Sequence, residues 1–137
     1  MNRVMKGAIL LLLACLVMVA ACCPAPVVNE IKIGVIGPMA YVQGEHHWYG
    51  AQLAAEEINA AGGVMVGGES YEIKLVKGDS NEIVSPADAA SQMERLITVD
   101  KVDFVLGGFR TEAVFAMQEV AMDYKTIFLG AGAATPS

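Results

Sequence analysis

Short apolar segments alternate along this chain with longer amphipathic ones. Residues 31–36 are β-branched and apolar apart from Lys32, which predicts a strand buried on both faces of a parallel sheet. Residues 71–77 alternate apolar and polar side chains, which predicts a strand with one wetter face at a sheet edge. Two shorter apolar runs, 102–106 and 127–129, predict a third and a fourth strand.

Three helices are predicted between these strands. The first covers residues 48–61 and follows a loop over residues 37–47. The second begins at Ser85 and Pro86, because serine is a good N-cap and proline suits the first helical turn. The third covers residues 111–124. Their apolar stripes are Ala51, Ala54, Ala55 and Ile58; Ala89, Met93, Leu96 and Ile97; and Val114, Met117 and Ala121.

This alternation predicts an α/β fold. Successive parallel strands need right-handed crossovers, so we expect a partial doubly wound parallel sheet of four strands, in the order 2-1-3-4, with helices on both faces. Gly62 and Gly63 end the first helix, and the turn-rich residues 64–70 allow a small hairpin. No helix follows the fourth strand, so we expect incomplete cover of that strand and the front part of a longer protein.

A ligand is expected where the strand order reverses, beyond the carboxyl ends of strands one and three. The loops there are residues 37–47 and 107–111. The second loop runs into a helix N-terminus, where free N–H groups attract a carboxylate. Thr111 either binds a ligand there through its hydroxyl or caps its own helix. Residues 130–134 (GAGAA) expose backbone to the same crevice but match a dinucleotide loop poorly, since the third glycine is missing.

Nothing in the sequence indicates a metal site or an enzyme. His46 and His47 are adjacent and point in different directions, so they and Glu45 are interpreted as a polar loop rather than as metal ligands. No GxSxG elbow accompanies a base, so no nucleophile is predicted. We therefore expect no catalytic residue, no metal and no cofactor. Asp79 is expected to shape a turn, and Arg110 to form a surface ion pair.

The charge balance excludes nucleic acid as a partner. The 137 residues include 9 Lys and Arg against 15 Asp and Glu, a net charge of −6. Two of the cations, Arg3 and Lys6, precede a long apolar run near the amino terminus, so the remainder is more acidic still. A phosphate backbone needs clustered cations, which this chain does not offer.

The first thirty residues are typical of an export signal. Residues 1–21 combine the two cations with an apolar stretch that ends in small residues, and that stretch is short for a membrane span. The sequence VAAC, residues 19–22, resembles the lipobox of bacterial and archaeal lipoproteins, which implies lipid attachment at Cys22. An ordinary secretory signal that ends at a cysteine is the alternative. Residues 22–30 then form an anchor and linker, and residues 31–137 form an incomplete amino-terminal lobe.

Three segments resemble a known family of proteins. They are residues 31–38 (IKIGVIGP), residues 50–64 (GAQLAAEEINAAGGV) and the turn at residues 105–111. All three are similar to extracytoplasmic solute-binding proteins of the leucine/isoleucine/valine type, which serve ATP-driven (ABC) amino-acid importers. The resemblance runs over nearly the whole of residues 31–136. It implies the first of two α/β lobes of a type I periplasmic-binding-protein fold, closing on an amino acid.

The same resemblance implies particular ligand-binding residues. Thr111 stands where a hydroxyl residue binds the ligand carboxylate, and Gly132 and Ala134 match the loop that holds the carboxylate and ammonium. A threonine is usual at the position of Ala134, so neighbouring Thr135 is the expected substitute for the missing hydroxyl. Gln43 lies near the position of the family's aromatic wall. These departures leave branched-chain specificity open.

The resemblance also implies partners. They are a small amino-acid ligand, the membrane-embedded permease subunits of an ABC importer, and a lipid anchor that holds the protein on the outer face of the cytoplasmic membrane or in the periplasm. The second hypothesis is a ligand-sensing receptor ectodomain on the same fold. An α/β enzyme is the third.

Overall fold

The computed structural model describes residues 29–134. The predicted signal segment, Cys22 and Thr135 lie outside this range. The elements of the described part, in chain order, are β1 (Asn29–Gly37), α1 (Val42–Ala60), β2 (Val64–Val66), β3 (Glu69–Asp79), α2 (Pro86–Thr98), β4 (Phe104–Gly107), α3 (Thr111–Asp123) and β5 (Ile127–Gly130).

These strands form one sheet in the order β2-β3-β1-β4-β5. The three parallel pairings predicted from the sequence are confirmed: β3, β1, β4 and β5 are neighbours in the predicted order 2-1-3-4. The additional strand β2 pairs antiparallel with the start of β3. Gly67 and Gly68, with φ of 62° and 92°, form the two-residue turn between them. Two positive φ values match the right-handed twist of a tight hairpin, so residues 64–70 form the small hairpin that the sequence allowed.

The first helix begins earlier than predicted. The prediction placed a loop over residues 37–47, but α1 starts at Val42, so Gln43, Glu45 and both histidines are helical. Tyr41 is the N-cap; its N–H donates to the Pro38 carbonyl at 2.9 Å, which turns the chain directly out of β1. Gly44 makes this tight entry fit, because a Cβ on Gly44 would lie 2.3 Å from the Pro38 oxygen.

The helices lie on both faces of the sheet, as predicted. Helices α2 and α3 pack on one face and enclose the main core. That core consists of Ile36, Ala89, Met93, Leu96, Val102, Val105, Ala113, Val114, Met117 and Ala121. Gly34 and Gly78 let α2 approach closely, since a Cβ at either position would lie about 3 Å from Leu96.

A hydrogen bond also joins the carboxyl-terminal parts of α2 and α3. The Tyr124 hydroxyl donates to Glu94 at 2.7 Å, and this hydrogen bond raises the pKa of Tyr124.

Helix α1 lies on the opposite face and covers mainly β1 and β3. Parallel register places Phe104, Leu106, Ile127 and Leu129 on that same face. Of these, Leu106 lines a small cavity together with Ala51 and Ala54 of α1. Ile127 and Leu129 are 57% and 58% exposed. The expectation that the fourth predicted strand has incomplete cover is therefore confirmed for the described part of the chain.

Candidate ligand-binding site

The carboxyl ends of four strands meet at one edge of the sheet. Ile36 is in register with Gly107, and Gly107 with Gly130. Beyond the register, the Gly108 N–H donates to the Ile36 carbonyl and the Ala131 N–H to the Gly107 carbonyl, both at 2.9 Å. The loops after β1 and β4 are therefore neighbours, as the reversal of strand order predicted, and together with the loop after β5 they line one crevice.

Glycine at position 107 is required by this close approach of two strands. Gly107 has a φ of 131°, and a Cβ there would lie 1.8 Å from the Ile36 carbonyl oxygen. Gly108 follows with a φ of 80°. Other residues rarely adopt such conformations. The chain thus leaves β4 through a sharp bend that brings the start of α3 to the crevice.

Three of the predicted ligand-binding residues come together at this crevice. The Thr111 hydroxyl donates to the Ala134 carbonyl at 3.1 Å, although the two residues are far apart in the sequence. Gly132 lies against the loop after β4: a Cβ on Gly132 would meet the Gly108 oxygen at 3.0 Å and the Phe109 ring at 3.2 Å. Fold geometry therefore collects Thr111, Gly132 and Ala134 in one place.

Thr111 does not cap its own helix. The N-cap of α3 is Arg110, and Thr111 is the first helical residue. Its side chain is half-buried and spans the gap to the β5 loop instead. The alternative role considered for this threonine, helix capping, is therefore wrong, and its hydroxyl faces the loop after β5.

Two predicted site residues remain, Gln43 and Thr135. Gln43 is half-buried in the first turn of α1, so it follows the end of β1 as expected but on a helix rather than in a loop. Thr135 lies outside the described residues. His46 is exposed and His47 half-buried, and buried Nδ1 of His47 lies against Gly37 with no hydrogen-bond partner among the described residues. Within residues 29–134, no three His, Cys, Asp or Glu side chains are grouped to hold a metal ion.

The expectation of free N–H groups at the start of α3 is wrong for two of them. The carboxylate of Glu82, which is fully buried, accepts from the N–H of Phe109 at 3.0 Å and from the N–H of Arg110 at 2.8 Å. An anion supplied by the chain itself therefore binds the two N–H groups that immediately precede Thr111. Sequence reasoning missed Glu82, because a single acid after a strand carries no motif.

Two residues near the crevice act as predicted from the sequence. Asp79 Oδ1 accepts from the Asn81 N–H at 3.2 Å, which shapes the turn after β3, and also from the Met39 N–H at 3.1 Å. Arg110 lies 3.6 Å from the Glu112 carboxylate in an exposed ion pair, and Nη1 of Arg110 donates to the Ile83 carbonyl.

A separate groove lies between α1 and the outer edge of β3. Its volume is about 270 Å³, and its lining residues are Trp48, Gln52, Ala55, Glu56, Asn59, Ile73 and Leu75. Trp48 packs here rather than on the crevice, with the Lys77 ammonium 4.7 Å from the centre of its ring. Asn59 uses its whole amide: Nδ2 donates to the Ile73 carbonyl at 2.9 Å, and Oδ1 accepts from the Ile73 N–H at 2.8 Å.

Among residues 29–134, no helix has both the length and the apolar composition needed to cross a bilayer.

Comparison with known proteins gives a consistent result. A family model described as periplasmic binding protein matches residues 30–137. An amino acid binding protein from Pseudomonas aeruginosa is 36% identical over 110 residues, which are 78% of this chain and 28% of that protein. A Leu/Ile/Val-binding protein homolog 7 from Brucella abortus is 35% identical over 101 residues, covering 71% of this chain and 23% of that protein. The chain thus spans about a quarter of the length of these relatives.

Among solved structures, the branched-chain amino acid transporter substrate binding protein LivJ from Streptococcus pneumoniae, in complex with isoleucine, is similar at 31% identity. The match has a TM-score of 0.68 and covers 80% of this chain and 30% of that protein.

Proposed function

Because the chain belongs to the periplasmic binding protein family, we propose that it captures an amino acid outside the cytoplasm for an ABC importer. Its relatives are substrate-binding proteins rather than enzymes, and they include amino-acid-binding proteins. The protein would accordingly act by binding and release, without a catalytic residue or a cofactor. The family suggests an extracytoplasmic location.

The observation that carries this proposal is the hydrogen bond between Thr111 and Ala134. It joins one good donor, the Thr111 hydroxyl, to one good acceptor, the Ala134 carbonyl, at 3.1 Å. An amino acid brings the complementary pair: its carboxylate accepts from the Thr111 hydroxyl, and its ammonium donates to the Ala134 carbonyl. The zwitterion can therefore replace one neutral hydrogen bond by two that involve a charge.

Small residues at the crevice support the same assignment. Gly132 and Ala134 are exposed, so the backbone of the loop after β5 is accessible beside the start of α3. A compact ligand could then contact main-chain groups directly, and Gln43 on α1 would supply the wall on the side of β1. Thr135, next to Ala134, would supply the hydroxyl that Ala134 lacks.

The lobe described here offers one wall of the site. Relatives are about four times longer than the segment they share with this chain. We therefore assign the second wall and the acidic partner of the ligand ammonium to a second lobe. Ligand contacts to both lobes would stabilise a closed arrangement and shift the population towards it. Permease subunits in the membrane would receive the ligand from that closed form.

The amino-terminal sequence supports a membrane-anchored form of this protein. Residues 1–21 would direct export, and Cys22 would carry the lipid after cleavage. A single lipid chain binds a membrane reversibly, whereas two or more give stable anchoring. A lipid-anchored binding protein remains close to its permease.

The direct test is calorimetry on the full-length mature protein with a panel of amino acids, their amides and small carboxylates. We expect heat of binding from at least one amino acid, and a large loss of affinity when that ligand is converted to its amide. No heat from any member of the panel would contradict the proposal.

Replacing Thr111 tests the site itself. Thr111→Val keeps the shape of the side chain and removes the hydroxyl, so we expect ligand binding to weaken by about 1–3 kcal/mol through loss of a hydrogen bond to a charged group. Thr111→Ser retains the hydroxyl and is the matched control, expected to bind within a few-fold of the wild type. Equal affinities of the valine variant and the wild type would remove Thr111 from the site.

A further inference from the structure

Glu82 is the one fully buried carboxylate among residues 29–134, and it reaches across the fold. It lies in the connection between β3 and α2, and its relative exposure is 0%. Oε1 accepts from the Ser80 hydroxyl at 3.0 Å, while Oε2 accepts from the N–H groups of Phe109 and Arg110. Phe109 is 27 residues further along the chain. One side chain thus joins the end of β3 to the loop after β4.

A buried charge is costly unless it is fully hydrogen-bonded. Glu82 meets that condition with three donors, and it lies at the positive end of the α3 dipole, where a negative charge is favoured. Arg110 adds a second connection between the same two segments, since its Nη1 donates to the Ile83 carbonyl at 3.0 Å.

These contacts fix the two residues immediately before Thr111. The loop reaches them through Gly107 and Gly108, whose positive φ values reflect the backbone freedom that glycine provides. The core packing of α3 and the contact of Arg110 with Ile83 also hold this helix. Glu82, however, is the acceptor for the N–H groups of Phe109 and Arg110, where the flexible Gly107–Gly108 bend meets the helix. The direction in which α3 begins sets where the Thr111 hydroxyl points relative to Ala134.

We propose that Glu82 is a positioning residue for ligand binding. Its carboxylate holds the start of α3 so that the Thr111 hydroxyl faces the crevice. It also occupies the helix N-terminus, so that the ligand carboxylate binds to the hydroxyl rather than to the N–H groups of Phe109 and Arg110. This inference rests on the proposed function, because the ligand is the amino acid assigned to that crevice.

The test combines Glu82→Ala, Glu82→Gln and Thr111→Val in the full-length mature protein, with L-isoleucine as the probe in calorimetry. Glu82→Ala removes every acceptor, whereas Glu82→Gln keeps the shape of the side chain and one acceptor oxygen. If Glu82 acts through Thr111, we expect Glu82→Ala to weaken isoleucine binding about tenfold or more, and Glu82→Gln to weaken it less. In the Thr111→Val background the same substitutions should change the affinity by less than about twofold.

A second measurement needs no ligand. Hydrogen exchange of the Phe109 and Arg110 amides should accelerate in Glu82→Ala, and Glu82→Gln keeps this measurement interpretable if the alanine variant does not fold. Asp88→Asn is the matched control. Asp88 is an exposed acid in the first turn of α2, and its Oδ2 accepts a hydrogen bond from Asn81 Nδ2 at 2.7 Å. We expect Asp88→Asn to change neither the exchange of these amides nor the isoleucine affinity.

The outcomes separate the two proposals. Unchanged exchange in both Glu82 variants, or an affinity loss of the same size with and without the Thr111 hydroxyl, would overturn the positioning role. A wild-type protein that binds no isoleucine and no other amino acid, yet shows faster exchange in the Glu82 variants, would refute the proposed function. In that case the contact of Glu82 with the loop would stand, and its role towards a ligand would be overturned with the function.

Discussion

At the scale of single residues, two glycines of one helix differ in whether the fold requires a glycine at that position. Gly44 and Gly50 lie in the same helix, α1, only a few residues apart. A Cβ on Gly44 would lie 2.3 Å from the Pro38 carbonyl oxygen, whereas a Cβ on Gly50 would meet nothing within 4 Å. Gly44 is thus needed for the close contact between α1 and the loop after β1, and Gly50 is not.

This contrast predicts opposite effects of the same substitution. Gly44→Ala should lower the free energy of unfolding by about 1–3 kcal/mol, because the clash is with backbone that cannot move aside easily. Gly50→Ala should raise it by about 0.5–1 kcal/mol, because alanine loses less backbone entropy in a helix. Urea denaturation of the two variants beside the wild type measures both. Two changes of the same sign would show that the entry to α1 is not as tight as described.

At the scale of elements, Asn59 explains part of the pattern that carries the family resemblance. Residue 59 lies near the end of α1, and its amide pairs with both backbone groups of Ile73 on β3. Strand β2 pairs with β3 only over Glu69–Tyr71, so among residues 29–134 the remainder of β3 is the edge of the sheet. Asn59 therefore satisfies edge groups that would otherwise be open to water or to another strand.

Removing this amide should loosen the contact of α1 with the sheet. We expect Asn59→Ala to lower the free energy of unfolding by about 1–2 kcal/mol, since two hydrogen bonds are lost and a better helix-forming residue recovers part of the cost. Hydrogen exchange of the Ile73 amide should accelerate as well. Gln52→Ala, in the same helix and lining the same groove, is the control and should stay within about 0.5 kcal/mol of the wild type. Similar losses in both variants would contradict a specific role for Asn59.

At the scale of the whole molecule, the crevice is a product of strand order. Neither the loop after β4 nor the loop after β5 forms a site alone; the pairing of Gly107 with Gly130 brings Thr111 to Ala134. The lipid anchor proposed at Cys22 is a separate property, predicted from a short segment of the sequence upstream of the lobe.

The anchor gives a prediction with a neighbouring control. In cells that process lipoproteins, Cys22→Ser should abolish lipid attachment, since the hydroxyl does not replace the thiol as acceptor, and the protein should leave the detergent phase in a partition assay. Cys23→Ser should leave both lipid attachment and partitioning unchanged. Mass spectrometry of the amino-terminal peptide checks the modification directly. Lipid found on Cys23, or on neither cysteine, would contradict the assignment of Cys22.

The sequence by itself determined the local elements and their order. Apolar runs and helical stripes follow directly from burial, and parallel strands joined by helices allow few arrangements, so the order 2-1-3-4 and the crevice could be predicted. The start of α1 could not, because residues 42–47 are largely polar and the turn at Pro38 that begins the helix depends on contacts with Gly44. Thr111, Gly132 and Ala134 were predicted as ligand-binding residues through a resemblance, and they lie close together in the structure.

Only the tertiary structure revealed that the Glu82 carboxylate accepts from the N–H groups of Phe109 and Arg110, just before α3. Glu82 is distant in sequence from Phe109 and Arg110, and nothing local marks one acid among many as the buried one. Its burial depends on how the connection after β3 meets the start of α3, which is a property of packing. Local preferences act over a few residues, whereas a buried charge finds its donors only when distant segments have been brought together.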